Sequence, residues 1–145
     1  MKALIQRVKN AYVSVDNKII GSINIGILAL IGIEENDTKK NAEKLLHKII
    51  NYRIFSDSND KMNLSLLDLK GELLIVSQFT LVANTQKGLR PSFSCAANPT
   101  LSEELYNYMI DQAQNTNLTI QSGKFAATMQ ICLLNDGPVT FNLQC

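Results

Sequence analysis

The sequence predicts a single mixed α/β domain, a sheet with two helices packed on it. Three observations carry that expectation. Strand-like segments fill the first third of the chain and return in its last third. Two segments with helical spacing lie between them. The 145 residues, 46% of them apolar, match the usual size of one domain and can bury one full core.

The elements follow in order. Ala3 to Val8 and Ala11 to Val15 read as strands, with Val13 and Val15 alternating against Ser14 and Asp16. Asp16-Asn17-Lys18 is a turn, Ile19 to Ile25 a second strand, and Gly26 a break. Ile27 to Ile33 is almost continuously apolar, which suits a strand covered on both faces. Asp37 or Thr38 can cap the first helix, in which Ala42, Leu45, Leu46, Ile49 and Ile50 share one face. Tyr52 to Phe55 reads as a short strand, 56–63 as a polar turn region, and 64–69 is ambiguous. Glu72 to Ser77 is an apolar strand and Asn84 to Pro91 a polar loop. Pro99 opens the second helix, whose inner face is expected at Leu101, Leu105, Tyr108, Met109 and Gln112. Strands over Leu118–Gln121, Ala127–Leu134 and Val139–Leu143 close the chain.

Composition excludes several functions. A net charge of +1 does not suit an extended duplex contact, although one end of a nucleic acid remains open. The longest apolar stretch, 23–33, is broken by Asn24, Gly26 and Gly32 and falls far short of a membrane span, and residues 1–8 are too polar for a signal peptide. Cys95, Cys132 and Cys145 are odd in number and lack metal spacing, so a reducing cytoplasm and no metal are expected; Cys95 and Cys132 read as core thiols. His47, the only histidine, falls outside the apolar face of its helix, which leaves no partner for a serine or cysteine triad. Arginine is used only at positions 7, 53 and 90, against eleven lysines, and its planar fork can hold a carbonyl or a phosphate as lysine cannot.

Two short segments remain, about sixty residues apart: Ser77-Gln78-Phe79-Thr80-Leu81 and Asn135-Asp136-Gly137-Pro138-Val139-Thr140. Each reads as a strand end opening into a turn. Ser77 and Thr80 are the available hydroxyls, either nucleophiles or groups that bond main chain or ligand, and no general base accompanies them except Lys87. Gly137-Pro138 is either an ordinary turn or a cis unit that a ligand approaches closely. Lys87 to Ser92 is a basic loop able to touch a phosphate.

With these residues in hand, the chain resembles the D-aminoacyl-tRNA deacylases of bacteria and eukaryotes over nearly its whole length. The likeness runs through Gln6-Arg7-Val8, Arg53-Ile54-Phe55, Lys61-Met62-Asn63, the segment from Ser77 to Leu81, Arg90-Pro91-Ser92-Phe93, Ala96-Ala97, Gly123-Lys124-Phe125, Met129 and the segment from Asn135 to Thr140. One departure is visible: Thr128 stands where the family often has an aspartate.

The resemblance implies a barrel-like, mostly antiparallel sheet with two packed helices, spanning 1–145 as one domain. It implies a cytoplasmic homodimer with active sites at the interface, no cofactor, and aminoacylated tRNA as partner. The implied reaction is hydrolysis of the ester in D-aminoacyl-tRNA, and in glycyl-tRNA mischarged on tRNA-Ala. The implied catalytic segment is Ser77, Gln78, Phe79 and Thr80, with backbone oxyanion donors and help from the ribose 2′-hydroxyl. Gly137 and Pro138 would reject L-aminoacyl groups, supported by Arg7. Phe79, Phe125, Met129, Lys87 and Arg90 would hold the adenosine and the tRNA end. Two rivals stand beside this reading: a noncatalytic adenosine or RNA-end binding module, and a threonine or cysteine hydrolase of small esters.

Overall fold

The computed structural model describes residues 1–86 and 88–145. β1 (Lys2–Val15) and β2 (Lys18–Ile23) form a hairpin across Asp16 and Asn17, both at positive φ. That is the two-residue turn whose twist matches the strands it joins. β3 (Gly26–Gly32) follows, and residues 27–29, 31 and 32 are buried, as its continuous apolar run requires. α1 (Lys39–Asn51) starts at Thr38, whose N–H donates to Asn41 Oδ1 at 3.1 Å. Asp37 is occupied elsewhere: it accepts from the amino group of Met1 at 2.6 Å.

The middle of the chain is more broken than its sequence predicts. β4 (Phe55–Ser56) and β5 (Met62–Leu64) form a small hairpin, so the predicted strand at 52–55 reduces to its last residue. α2 (Leu66–Leu69) is a third, four-residue helix with Ser65 as N-cap. β6 (Glu72–Ser77) has the predicted limits and runs into a 3-10 turn over Phe79–Val82. α3 (Pro99–Gln114) is capped by Asn98, whose side chain accepts from Leu101 N. It buries Leu105, Tyr106, Met109 and Ala113. Tyr108 and Gln112, expected inside, are half-buried, because Tyr108 bonds Glu43 at the edge of α1 and lies under Lys39. β7 (Thr119–Ser122) and β8 (Gln130–Gln144) complete the domain.

The sheet has the order β2-β1-β3-β6-β7, with β8 on the other side of β1. β1 pairs antiparallel with β2, β3 and β8, whereas β3-β6 and β6-β7 are parallel. It curls until β2 approaches β7: a Cβ on Gly21 would lie 3.0 Å from the carbonyl oxygen of Ser122. The result is a nearly closed, barrel-like sheet. One core lies between its outer face and α1 and α3, including Ile5, Ile31, Leu45, Ile75 and Tyr106. A second fills the curl with Val8, Val13, Leu28, Leu74 and Val76. Gly26 admits the closest strand approach, since a Cβ there would meet the Glu72 carbonyl oxygen at 1.9 Å.

Two pairs of predicted strands are single strands. β1 runs through Lys9 and Asn10, where its neighbour changes from β3 to β2 while β8 stays alongside. β8 carries Gly137-Pro138 in its middle and begins at Gln130, not Ala127. Cys132, expected in the core, is exposed opposite Tyr12, and Cys95 is exposed in the loop before α3. No helix among the described residues is long and apolar enough to cross a membrane.

Candidate active site

Parallel strands end side by side, and their carboxyl ends leave a crevice beyond the sheet. Here β3 ends near Ile31 and β6 at Ser77, and a cavity of about 500 Å³ opens over them. That volume lies in the range of small-molecule sites. Ile31, Ile33, Val76 and Ile131 form its apolar floor, Ala96, Ala97, Pro99 and Ser102 one wall, and Phe125, Ala126 and Met129 another. Ser77, Gln78 and Phe79 sit at its edge. Of its lining, only Ser77, Gln78 and Ser102 carry polar side chains.

The segment from Ser77 to Thr80 is held by its main chain. Gln78 N donates to the Ile31 carbonyl at 2.7 Å, extending the ladder one residue past β6. The chain then turns: Leu81 N reaches back to Gln78 O and Ala83 N to Thr80 O. Such a turn offers the leading amides of Phe79 and Thr80 no internal acceptor. Thr80 Oγ1 accepts from Gln78 Nε2 at 2.6 Å, and Thr80 is exposed. Phe79 is 62% exposed at the cavity rim and packs on Phe93, with ring centroids 5.1 Å apart.

The opposite wall hangs on Tyr106. Its hydroxyl lies 2.9 Å from the Ile75 carbonyl and 3.2 Å from the Gly123 carbonyl, and its ring lies 5.9 Å from that of Phe125. Burial pushes the hydroxyl well above the ordinary tyrosine value, against the opposing pull of main-chain bonds at Gly123 and Ser77. It is therefore a neutral donor. Met129 sulfur fills the space beside Gly123, where a Cβ would come within 2.7 Å of it. Thr128, at the position of the family's frequent aspartate, is exposed and does not line the cavity.

Gly137 and Pro138 lie elsewhere on the chain. Their peptide bond is cis, both residues are exposed, and neither lines the cavity. Arg7 stands opposite. Its Nε donates to the Asp136 carbonyl at 2.9 Å and pairs with Asp136 Oδ2 at 3.2 Å, while its Nη1 donates to the Ile54 carbonyl at 2.6 Å. Arg7 faces Ile27 across β1 and β3, four residues along β3 from Ile31 of the cavity floor. That spacing is about 13 Å.

The structure thus brings Ser77, Gln78, Phe79, Phe125 and Met129 together, sets Thr80 just outside, and places Arg7, Gly137 and Pro138 apart. Arg90 is exposed on the loop closed by the Asn84–Ser92 bridge, and Lys87 lies outside the described residues. Arg53 Nε donates to the Asn63 carbonyl at 2.6 Å, a tie from the segment before β4 to β5. His47 is exposed on α1. Among the described residues no three His, Cys, Asp or Glu side chains gather. Sequence reasoning missed Ser102, Pro99 and Tyr106. The only local signal was the helix start at Pro99, because their approach depends on α3 docking over the sheet.

Comparison with known proteins shows the family and the fold. The family model described as D-Tyr-tRNA(Tyr) deacylase matches residues 4–144. A D-aminoacyl-tRNA deacylase of Pseudoalteromonas translucida is 62% identical over 143 residues, covering 99% of each chain. One from Pseudomonas fluorescens is 56% identical over 144 residues, again with 99% of each chain covered. Among solved structures, the c-Myc DNA Unwinding Element Binding Protein superposes with a TM-score of 0.95 at 40% identity, covering 100% of this chain and 99% of that one. A probable eukaryotic D-amino acid tRNA deacylase shares the fold at a TM-score of 0.84 and 14% identity, covering 98% of each chain.

Proposed function

The chain belongs to the D-Tyr-tRNA(Tyr) deacylase family, and we propose that the cavity at the end of β6 is where it removes D-aminoacyl groups from tRNA. The carrying observation is a largely apolar cavity of nucleoside size with Ser77, Gln78 and Phe79 at its edge. The terminal adenosine enters between Phe79, Phe125 and Met129, where aromatic faces accept any base without reading its edge. Recognition confined to one end suits a chain of net charge +1. Duplex binding, by contrast, draws on many phosphate contacts.

In the reaction a water oxygen attacks the ester carbonyl carbon. The carbon–oxygen bond to the ribose breaks, the leaving ribose oxygen takes up a proton, and free amino acid and tRNA depart. The amides of Phe79 and Thr80 face the developing oxyanion, and the neighbouring ribose hydroxyl orients the water and relays its proton to the leaving ribose oxygen. Side chains from the protein are not needed as base. Gln78 fixes the turn that follows Ser77, and Thr80 contributes its amide more than its hydroxyl.

Selection against L substrates is assigned to Gly137-Pro138 of a second subunit. The cavity of one chain lacks this segment, and both residues are exposed. Their carbonyl oxygens hold the α-amino group, so that an L side chain is driven into the main chain and a D side chain points away. Glycine has nothing to exclude, so glycyl-tRNA is cleaved as well. Arg7 fixes the segment, and Arg90 and Lys87 meet the tRNA backbone. The protein acts as a cytoplasmic homodimer, where aminoacylated tRNA is found.

The test is release of amino acid from D-tyrosyl-, L-tyrosyl- and glycyl-tRNA by the purified, metal-free protein. Cleavage of the D and glycyl esters with the L ester spared is expected. Equal cleavage of D and L would discard the Gly137-Pro138 filter and keep the esterase. Binding of adenosine-ended RNA without turnover would leave a binding module.

A further inference from the structure

Gly137-Pro138 sits on a bulge that needs a support of its own. β1 and β8 pair Val8 with Asn135 and Gln6 with Thr140, so Arg7 alone faces the whole run from Asp136 to Val139. Residues in such a bulge lose their ladder partners. Val139 is nonetheless buried, at 6% exposure, and its main-chain groups must be satisfied. The Asn135 side chain does this. Its Oδ1 accepts from Val139 N at 2.7 Å, and its Nδ2 donates toward Val139 O at 3.3 Å and Thr140 Oγ1 at 3.2 Å.

One side-chain amide therefore bonds both main-chain groups of Val139, as a neighbouring strand would, and closes the base of the loop from 135 to 139. Arg7 holds the near arm at the Asp136 carbonyl. Gln6 Nε2 meets the same Thr140 hydroxyl from β1 at 3.3 Å. We propose that Asn135 is a positioning residue for stereochemical selection: it sets the height and tilt of Gly137 and Pro138 by acting as a surrogate strand for Val139. The chemistry is particular to asparagine. Aspartate keeps the acceptor for Val139 N but sets a carboxylate against the Val139 carbonyl, and alanine removes both bonds.

The proposal rests on the reading that Gly137-Pro138 screens the configuration of the aminoacyl group. Its test compares Asn135→Ala, Asn135→Asp and Gly137→Ala in the full-length protein. The kcat/KM for D- and L-tyrosyl-tRNA and the thermal midpoint are measured for each. Both Asn135 variants should lower the D-to-L ratio at least tenfold, with Asn135→Asp, which keeps the volume and one bond, the milder. If Asn135→Ala does not fold, Asn135→Asp decides the matter. A ratio that changes in Gly137→Ala but not in the Asn135 variants overturns the role of Asn135 and leaves the filter standing. Slower cleavage of D and L alike in the Asn135 variants reduces Asn135 to a structural prop and overturns it too. An unchanged ratio in all three variants removes the filter, and the proposal with it.

Discussion

Arg7→Lys separates a geometric role from a merely charged one. Arg7 is 12% exposed and spans two carbonyls on separate segments, Asp136 and Ile54. Lysine keeps the charge and most of the aliphatic stem, but its single ammonium group does not reproduce the fork. One charge-assisted bond is lost and one half-buried carbonyl is left unpaired, a cost of about 1.5–3 kcal/mol. The ion pair with Asp136, a residue 39% exposed on its side chain, is retained in part and adds little in either protein. For a domain of this size each kcal/mol moves the midpoint by about 2–4 °C, so a fall of roughly 3–12 °C is expected. Thermal unfolding reads that number, and kcat/KM for D- and L-tyrosyl-tRNA reads the selectivity. The ratio should fall as Gly137-Pro138 gains freedom. An unchanged midpoint would refute the energetic reasoning. A lowered midpoint with an unchanged ratio would leave Arg7 as a brace for Ile54 alone.

Other outcomes follow from the same geometry. Phe79→Ala should raise KM by roughly 5-fold to 150-fold, the worth of about 1–3 kcal/mol of stacking, while the midpoint stays near wild type because the ring is 62% exposed; steady-state kinetics with a melt alongside checks both. Thr80→Ala removes one neutral bond to Gln78, worth about 0.5–1.5 kcal/mol, so kcat should fall by about tenfold or less; a loss near ten-thousandfold would identify a nucleophile. Tyr106→Phe should cost about 1 kcal/mol, the low end because Ile75 O keeps its bond from Gly123 N. The same variant has a pH signature. With the folded pKa raised above the unfolded value of 10.0, stability is fully present below that value and is lost as pH rises beyond it. The phenylalanine variant should lack this part of the alkaline loss, and urea midpoints from pH 8 to 11 test it.

Much of the fold was legible because its signals are local. The buried set on α1 is the one its spacing predicts, Ala42, Leu45, Leu46, Ile49 and Ile50. β6 has its predicted limits because Lys70, in the left-handed conformation, and Gly71 end one element and the turn at Phe79 begins the next. α2 escaped because four residues carry no periodicity; only Ser65 with Asp68, an N-cap pair, announced it. β1 looked like two strands because Lys9 and Asn10 are polar and exposed, yet the strand is continuous where its partner changes. Cys132 was misplaced for a related reason. It lies on the outward side of β8, which presents a solvent face despite the apolar run Ile131 to Leu134.

The site divides along a different line. Ser77 to Thr80, Phe125 and Met129 were legible as motifs, but on the proposed reading what the turn from Gln78 to Thr80 offers the reacting ester is main chain. A main-chain amide or carbonyl leaves no residue type of its own in a sequence. What does leave a trace is the side chain that holds the main chain in place. Arg7 on the Asp136 carbonyl, Asn135 on both groups of Val139, and Tyr106 on the carbonyls of Ile75 and Gly123 share that character. Each is half-buried or buried, and each satisfies main-chain groups beside a segment of the proposed site. On the proposed mechanism, which uses no side-chain base, sensitivity to substitution is concentrated in such supports. Changing them should alter stability and selectivity together, whereas the exposed Thr80 hydroxyl, the group most like a nucleophile, should matter least.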